Sequence, residues 1–343
     1  MDRTNNTQQK MLISLDYELF FGPETGSPEN CLLRPTRELV KLLNHHQAKL
    51  SLFVDVGYLV KLEEYSQQYS VIRSDLRKIQ DQLRHLVEDG HDVQLHIHPH
   101  WENSIYDGRR WQIDTQRYRL QDFPLEEVHS IVKKYAETLR NISGHSVFAF
   151  RAGGWCIQPF KCIKDALLEN GIWLDSTVYE RGISTNPRRE YDFSQLPEKG
   201  IWHFSDEPTI EDKHGEFTEI PISGIKISPF FFWKMAATKK VASSKHVQFG
   251  DGNPIANSKH YYFTRLTRPT FSAVAIDGIK AGLLSKSFKY HLSRNPEAVF
   301  NVMGHPKSIS PYSLEQLDLF LSSNNGILSI TYQDLAYLRN TKH

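Results

Sequence analysis

The sequence predicts an α/β fold in which parallel strands alternate with crossover helices. Three observations lead there. Short apolar runs of strand length alternate with apolar stripes at helical spacing along much of the chain. Most of the strand-like runs stop at a charged or imidazole residue, the position where α/β folds carry their sites. The 343 residues, 39% hydrophobic and 24% charged, can bury a sizeable core. That length suits two domains of about 150 residues, or one large α/β barrel with insertions.

The elements follow in order. Met11–Leu15 reads as a buried strand cut off by Asp16-Tyr17-Glu18. Pro35 opens a helix whose face carries Leu39, Leu42, Leu43 and His46. Leu50–Val54 is a second strand, ending at Asp55. Leu76, Ile79, Leu83, Leu86 and Val87 line a helix closed by Gly90. Asp92–Ile97 is a third strand. Pro124 opens a helix carrying Val128, Val132, Tyr135 and Leu139, and Gly144 lies past its end. Val147–Phe150 stops at Arg151, a helix follows Pro159, and Ile172–Leu174 stops at Asp175. The alternation then breaks. Residues 183–260 hold many Pro, Gly and Ser with only short apolar runs, and residues 183–297 read as an irregular, partly β insertion within one domain of residues 1–343. The pattern resumes with strand Ala298–Met303, a helix through Leu314, Leu317, Phe320 and Leu321, and a last strand Ile327–Ile330.

Polar groups at strand ends are the informative feature. Asp16 and Glu18, His96, His98 and His100, Arg151, Asp175 and His305 all fall at or just past a predicted C-terminal end. On a strand, His96 and His98 share a face, because side chains alternate with period two. Pro99 cannot donate to a ladder, so the strand ends there and His100 sits on the turn. His96 and His100 are then able to converge on one ion with a carboxylate as third ligand. Neutral imidazole with carboxylate suits Zn²⁺ and leaves a position for water, whose pKa the ion lowers toward about 7. Asp16 and Glu18, two apart, point the same way, so one can bind the ion while the other takes a proton from water.

The order and spacing of these motifs resemble the polysaccharide deacetylase family (NodB homology, carbohydrate esterase family 4). SLDYELFFG resembles its first motif, GHDVQLHIHPH the second, FRAGGW the third, LDSTV the fourth and MGHPK the fifth. The resemblance covers about residues 11–180 and 298–335. It implies a deformed (β/α) barrel of seven or eight strands, a divalent metal, usually zinc, and hydrolysis of an N-acetyl or related group on a sugar. By position, Asp16 resembles the catalytic base, and Glu18, His96 and His100 the metal ligands. Arg151 resembles the arginine that holds the base, His305 the general acid, and Asp175 the acid that tunes it. Gly153 or Gly154 offers an oxyanion N–H, and Trp155 a groove wall against the sugar. The chain departs from the family in two places: Tyr17 separates the two acids of the first motif, and Gly153-Gly154-Trp155 replaces the usual proline of the third.

Two further readings differ in class. One keeps the fold but takes a small amide, imide or ureide; the other is a carbohydrate-binding relative without catalysis. Cys31, Cys156 and Cys162 are scattered and form no disulfide framework, which fits a reducing cytoplasm. The start of the chain shows no apolar leader, and no apolar run approaches the roughly 18 residues of a membrane span. A cytoplasmic enzyme of surface polysaccharide (O-antigen or capsule) synthesis, acting on a nucleotide- or lipid-linked sugar, is the expectation. Cys156, with no base at a fixed spacing, reads as a buried inert thiol.

The net charge of +1 argues against a nucleic-acid partner, yet it is a cancellation. Residues 224–294 hold twelve Lys and Arg against two acids, Asp251 and Asp277, and the rest of the chain is acidic. That basic segment suits a phosphate-bearing substrate or an anionic membrane face.

Overall fold

The computed structural model describes residues 8–241 and 243–340; the leaderless start read from the sequence lies largely outside them. The predicted alternation is present. The main sheet holds β1 (Lys10–Tyr17), β2 (Ser51–Asp55), β3 (Asp92–Ile97), β4 (Ala149–Ala152), β5 (Leu174–Asp175), β6 (Trp202–Phe204), β7 (Phe217–Glu219), β10 (Phe300–Gly304) and β11 (Leu328–Ile330). Their order is β6-β7-β5-β4-β3-β2-β1-β10, with β11 pairing β1. All pairs are parallel except β6 with β7.

The sheet curls into a barrel of the expected deformed type. Its two ends, β6 and β10, do not pair. The seam beside β10 is bridged by short segments instead. Ser223 N–H donates to Asn301 O (2.9 Å), Met303 N–H to Val274 O (3.0 Å) and Ile276 N–H to Met303 O (3.0 Å).

Helices cover the outside: α1 (Arg34–His45), α2 (Val56–Tyr65), α3 (Ser70–Glu88), α4 (Leu125–Ser143), α5 (Lys164–Glu169), α8 (Leu284–Arg294) and α9 (Pro311–Ser323). Two more, α6 (Pro229–Val241) and α7 (Lys259–Thr267), stand beyond a two-stranded ribbon of β8 (Gly224–Ile227) and β9 (Thr270–Ala273). Residues 183–297 are therefore partly β, as expected, but not wholly an insertion. Trp202–Phe204 and Phe217–Glu219 are strands of the main sheet. At three residues each they are too short to show a period-two pattern in sequence.

Strand parity explains how the barrel positions its site. Met11, Ile13 and Leu15 of β1 pack in the large core cluster beneath the helices. The alternate residues Leu12, Ser14 and Asp16 point the other way. Leu12 joins Phe53, Ala149, Ile330 and Tyr332 in a second apolar cluster. Above it lies a polar layer built on Arg151, which is fully buried. Its NH2 donates to Ser14 Oγ (2.9 Å), its Nε to Ser176 O (2.7 Å), and its guanidinium stacks 4.0 Å over the Phe53 ring. Asn301, Ser176 and the Tyr332 hydroxyl complete this layer. The next step along β1 is Asp16, followed in the loop by Glu18.

Candidate active site

Register across the sheet brings the strand ends together. Asp55 of β2 lies beside His96 of β3, and His96 beside Arg151 of β4. Arg151 NH1 donates to Asp16 Oδ1 at 2.8 Å, so the cation that fills the polar layer also fixes the first carboxylate of the mouth.

Glu18, His96 and His98 form a group that could hold a metal ion: their donor atoms all lie within 4.8 Å of one another, and all three residues are buried. Glu18 Oε2 is 3.1 Å from His96 Nε2 and 2.6 Å from His98 Nε2. His96 Nδ1 lies 2.8 Å from Arg151 O. Donation of Nδ1–H to that carbonyl leaves Nε2 as a lone pair facing the carboxylate, the arrangement that orients histidine ligands. Burial pushes His98 down to about 4, which keeps its ring neutral, and its buried Nδ1 has no hydrogen-bond partner. Burial alone would raise the Glu18 carboxyl, but Lys307 and the two histidines hold it well below the usual range. The Lys307 ammonium donates to Glu18 Oε1 (2.8 Å) and Leu19 O (2.6 Å). One carboxylate oxygen is thus pinned by the lysine and the other faces the imidazoles. Burial lowers His96, but Asp16, Glu18 and Asp55 outweigh it and raise its pKa, so an ion would compete with a proton there. Two imidazoles and a carboxylate fit a divalent ion with a position left open.

His100, expected as a ligand, is not in this group; His98 stands in its place. The reason is parity. His96 and His98 lie two apart at the end of β3, whereas Pro99 begins a 3-10 turn, Pro99–Asn103, that holds His100, its ring centroid 5.2 Å from that of His98. Its ring stacks on Tyr118 (centroids 5.7 Å apart, planes at 12°) and on Trp101, and meets the edge of Phe21. Burial holds this imidazole well below its ordinary pKa, and both ring nitrogens lack partners.

Asp175 also departs from expectation. It accepts from the Thr177 hydroxyl (2.7 Å) and the Thr177 N–H (3.0 Å), and its register partner on β7 is Glu219. Both carboxyls are fully buried, and burial raises both. The acid that holds His305 is Asp277, from the segment after β9. Its Oδ2 lies 2.8 Å from His305 Nδ1, and its Oδ1 accepts the His305 N–H at 2.8 Å. Burial opposes charge on both partners, but each favours the other's ion: His305 is raised and Asp277 lowered. His305 Nε2 then faces the mouth, 3.8 Å from Asp16 Oδ2 and 3.7 Å from Glu18 Oε1.

Sequence reasoning missed Asp277, Asp55 and Lys307. Asp277 ends the apolar run Phe271–Ile276, the same signal that marked the other strand ends, but inside a stretch read as insertion. Asp55 ends β2 and accepts the Trp101 indole N–H at 2.6 Å; burial raises its carboxyl to about 7. Lys307 lies within the fifth motif itself.

Of the third motif, Gly153 meets a steric demand: a Cβ there would lie 2.6 Å from His98 Cε1 and Nδ1 and from Ile97 O. Gly154 has φ +62°, and a Cβ on it would meet the Tyr118 ring at 2.8 Å. Trp155 is partly exposed beside Tyr179 and Tyr191. Burial pushes the Cys156 thiol up to about 12, so it is inert, in keeping with the sequence reading. A cavity of about 980 Å³, lined among others by Trp202, Tyr290, His291 and Ala298, lies toward the start of β10, away from His305.

No family model matches the chain, and no curated protein matches it. Solved structures do. The chain shares its fold with a protein from Mycobacterium smegmatis assigned as a polysaccharide deacetylase: TM-score 0.55, 11% identity, 99% of this chain and 92% of that one covered. It is also similar to the PuuE allantoinase, at TM-score 0.49, 12% identity, and 97% and 91% coverage. The polysaccharide deacetylase Bc1974 from Bacillus cereus matches at TM-score 0.42, 13% identity, and 96% and 94% coverage.

Proposed function

We propose that the chain is a zinc-dependent hydrolase that removes the acetyl group from an N-acetylated sugar. The observation that carries this reading is the convergence, at one barrel mouth, of three pairings: Glu18 with His96 and His98, Asp16 with Arg151, and His305 with Asp277. The shared fold with a protein assigned as a polysaccharide deacetylase supports the substrate class.

Glu18, His96 and His98 would hold the ion, which when bound polarises the acyl oxygen and lowers the pKa of water. Asp16, oriented by Arg151, takes the proton of the attacking water. His305, whose imidazolium form Asp277 favours, gives a proton to the departing amine, without which the amide nitrogen could not leave. The two proton carriers sit 3.8 Å apart at their nearest atoms, one accepting and one donating around the same acyl carbon. A backbone N–H of Gly153 or Gly154 would serve the developing oxyanion. Asp175 has no part in this scheme.

Among the described residues no cysteine is paired, which supports a reducing compartment, and a nucleotide- or lipid-linked precursor of a surface polysaccharide is the substrate proposed there. The test is acetate release from N-acetylglucosamine oligomers and from their nucleotide- and lipid-linked forms. Release should stop with chelator and return with zinc. Metal-independent release, or release unaffected by Asp16→Asn, would overturn the reading.

A further inference from the structure

Helices α6 and α7 present an aromatic and basic surface that is exposed among the described residues. Along α6, Phe230, Trp233, Ala237 and Val241 recur at helical spacing and all are exposed, Phe230 and Val241 each at 77%. Phe232 on the opposite face is buried. The helix is thus apolar on both sides, and the side that carries Phe230, Trp233 and Val241 is largely exposed. α7 contributes no buried residue; Tyr262 and Phe263 are 53% and 65% exposed. The Trp233 indole donates to Leu266 O at 3.0 Å, which joins the two helices, and Leu266 lies about one turn from Tyr262 and Phe263.

Charge points to the occupant. Exposed Lys234, Lys240, Lys259 and Arg268 border these aromatics, and neither helix contains an acidic residue. The two acids of the basic segment are engaged elsewhere. Asp251 accepts from Ser27 N–H (2.7 Å) and Asn30 Nδ2 (2.9 Å), and Asp277 is committed to His305. Aromatic rings flanked by cations suit the headgroup region of an anionic bilayer, where rings enter the acyl boundary and cations meet lipid phosphates.

The placement of the pair relates this face to the site. The connector between α6 and α7 is tied to the barrel mouth: Gly250 N–H donates to Lys307 O (3.1 Å), and Gly22 N–H to Asn253 O (3.0 Å). The ribbon below the helices leads directly to Asp277. We propose that α6 and α7 form a docking face for anionic membrane, which holds the barrel mouth beside the bilayer surface. The face does not depend on the deacetylase reading, and its test needs no catalysis.

The probe is flotation of the full chain with vesicles of about 30% phosphatidylglycerol in phosphatidylcholine, against phosphatidylcholine alone. Binding is expected to the anionic vesicles and to weaken with salt. Phe230→Ser with Phe263→Ser should weaken it on the order of tenfold or more, and Lys234→Glu with Lys259→Glu by about fivefold or more per cation. Since these side chains are exposed, melting temperatures should stay at the wild-type value. Three results would overturn the proposal: no binding to anionic vesicles at low salt, binding that survives both double variants, or a dimer that the Phe variants convert to monomer.

Discussion

Which histidine completes the metal group is decided by comparing His98→Ala with His100→Ala. In the structure His98 Nε2 lies 2.6 Å from Glu18 Oε2, while His100 is turned into the Tyr118 and Trp101 rings. Structural zinc sites of four ligands bind with about 10–16 kcal/mol, so one donor is worth about 3 kcal/mol. His98→Ala should therefore weaken zinc about a hundredfold. His100→Ala removes no donor. It should cost about 2–4 kcal/mol of stability through the cavity it leaves, with zinc affinity kept within about threefold. Chelator competition on metal-stripped protein reads affinity, and thermal unfolding reads stability. A hundredfold loss in His100→Ala with little loss in His98→Ala would refute the parity argument and restore the ligand set expected from sequence.

Three other perturbations follow from the same contacts. Gly153→Ala puts a Cβ 2.6 Å from the His98 ring. It should displace that ring and lower zinc affinity about 10–100-fold, with a stability loss of about 1–3 kcal/mol; unchanged zinc binding would mean that Gly153 does not seat His98. Asp277→Asn removes the carboxylate that raises His305. The imidazolium then gives up its proton at lower pH, so the alkaline limb of the kcat/KM profile should move down, while Asp175→Asn leaves that limb in place. Glu219→Gln concerns stability. Burial first, and the neighbouring Asp175 next, raise the Glu219 carboxyl well above its usual value. Its contribution is thus fully present below the unfolded carboxyl pKa and is lost as pH rises through the folded one. The amide, which cannot ionise, should raise the melting temperature at pH 8 relative to wild type and give little gain near pH 4.

Much of the fold was legible because long apolar stripes and polar strand ends are local signals. Asp92–Ile97 reads as a strand from six residues, and the helix after Pro124 from four turns of spacing. Asp16, Glu18, His96, Arg151 and His305 were legible for the same reason, each closing an apolar run. Where the structure groups side chains differently from the expected set, the information is not local. His100 was placed in the ligand set by spacing in the chain, but Pro99 changes the backbone from extended to 3-10, and after that change parity no longer holds. Asp175 was paired with His305 by its order among motifs. Whether an acid at the end of β5 can reach β10 depends on how the sheet closes, and the seam there is filled by residues 274–276, which bring Asp277 instead.

That closure also accounts for the charges the mouth can bear. Asp16 and Glu18, which are buried, and Asp277, which is partly buried, all lie within a few ångströms of His305, an arrangement that would be costly if uncompensated. Each has its own cation: Arg151 for Asp16, Lys307 for Glu18 and His305 for Asp277. The cations come from two places: Arg151 from β4, and His305 and Lys307 from the turn that follows β10. Removing one leaves a buried carboxylate unpaired, at about 3–5 kcal/mol. Arg151→Lys should come near that loss even though charge is conserved. A single ammonium cannot reproduce the bonds to Asp16, Ser14 and Ser176 together with the stack on Phe53. Thermal unfolding that shows Arg151→Lys as stable as wild type would mean that charge alone, and not the guanidinium's geometry, holds the polar layer to the mouth above it.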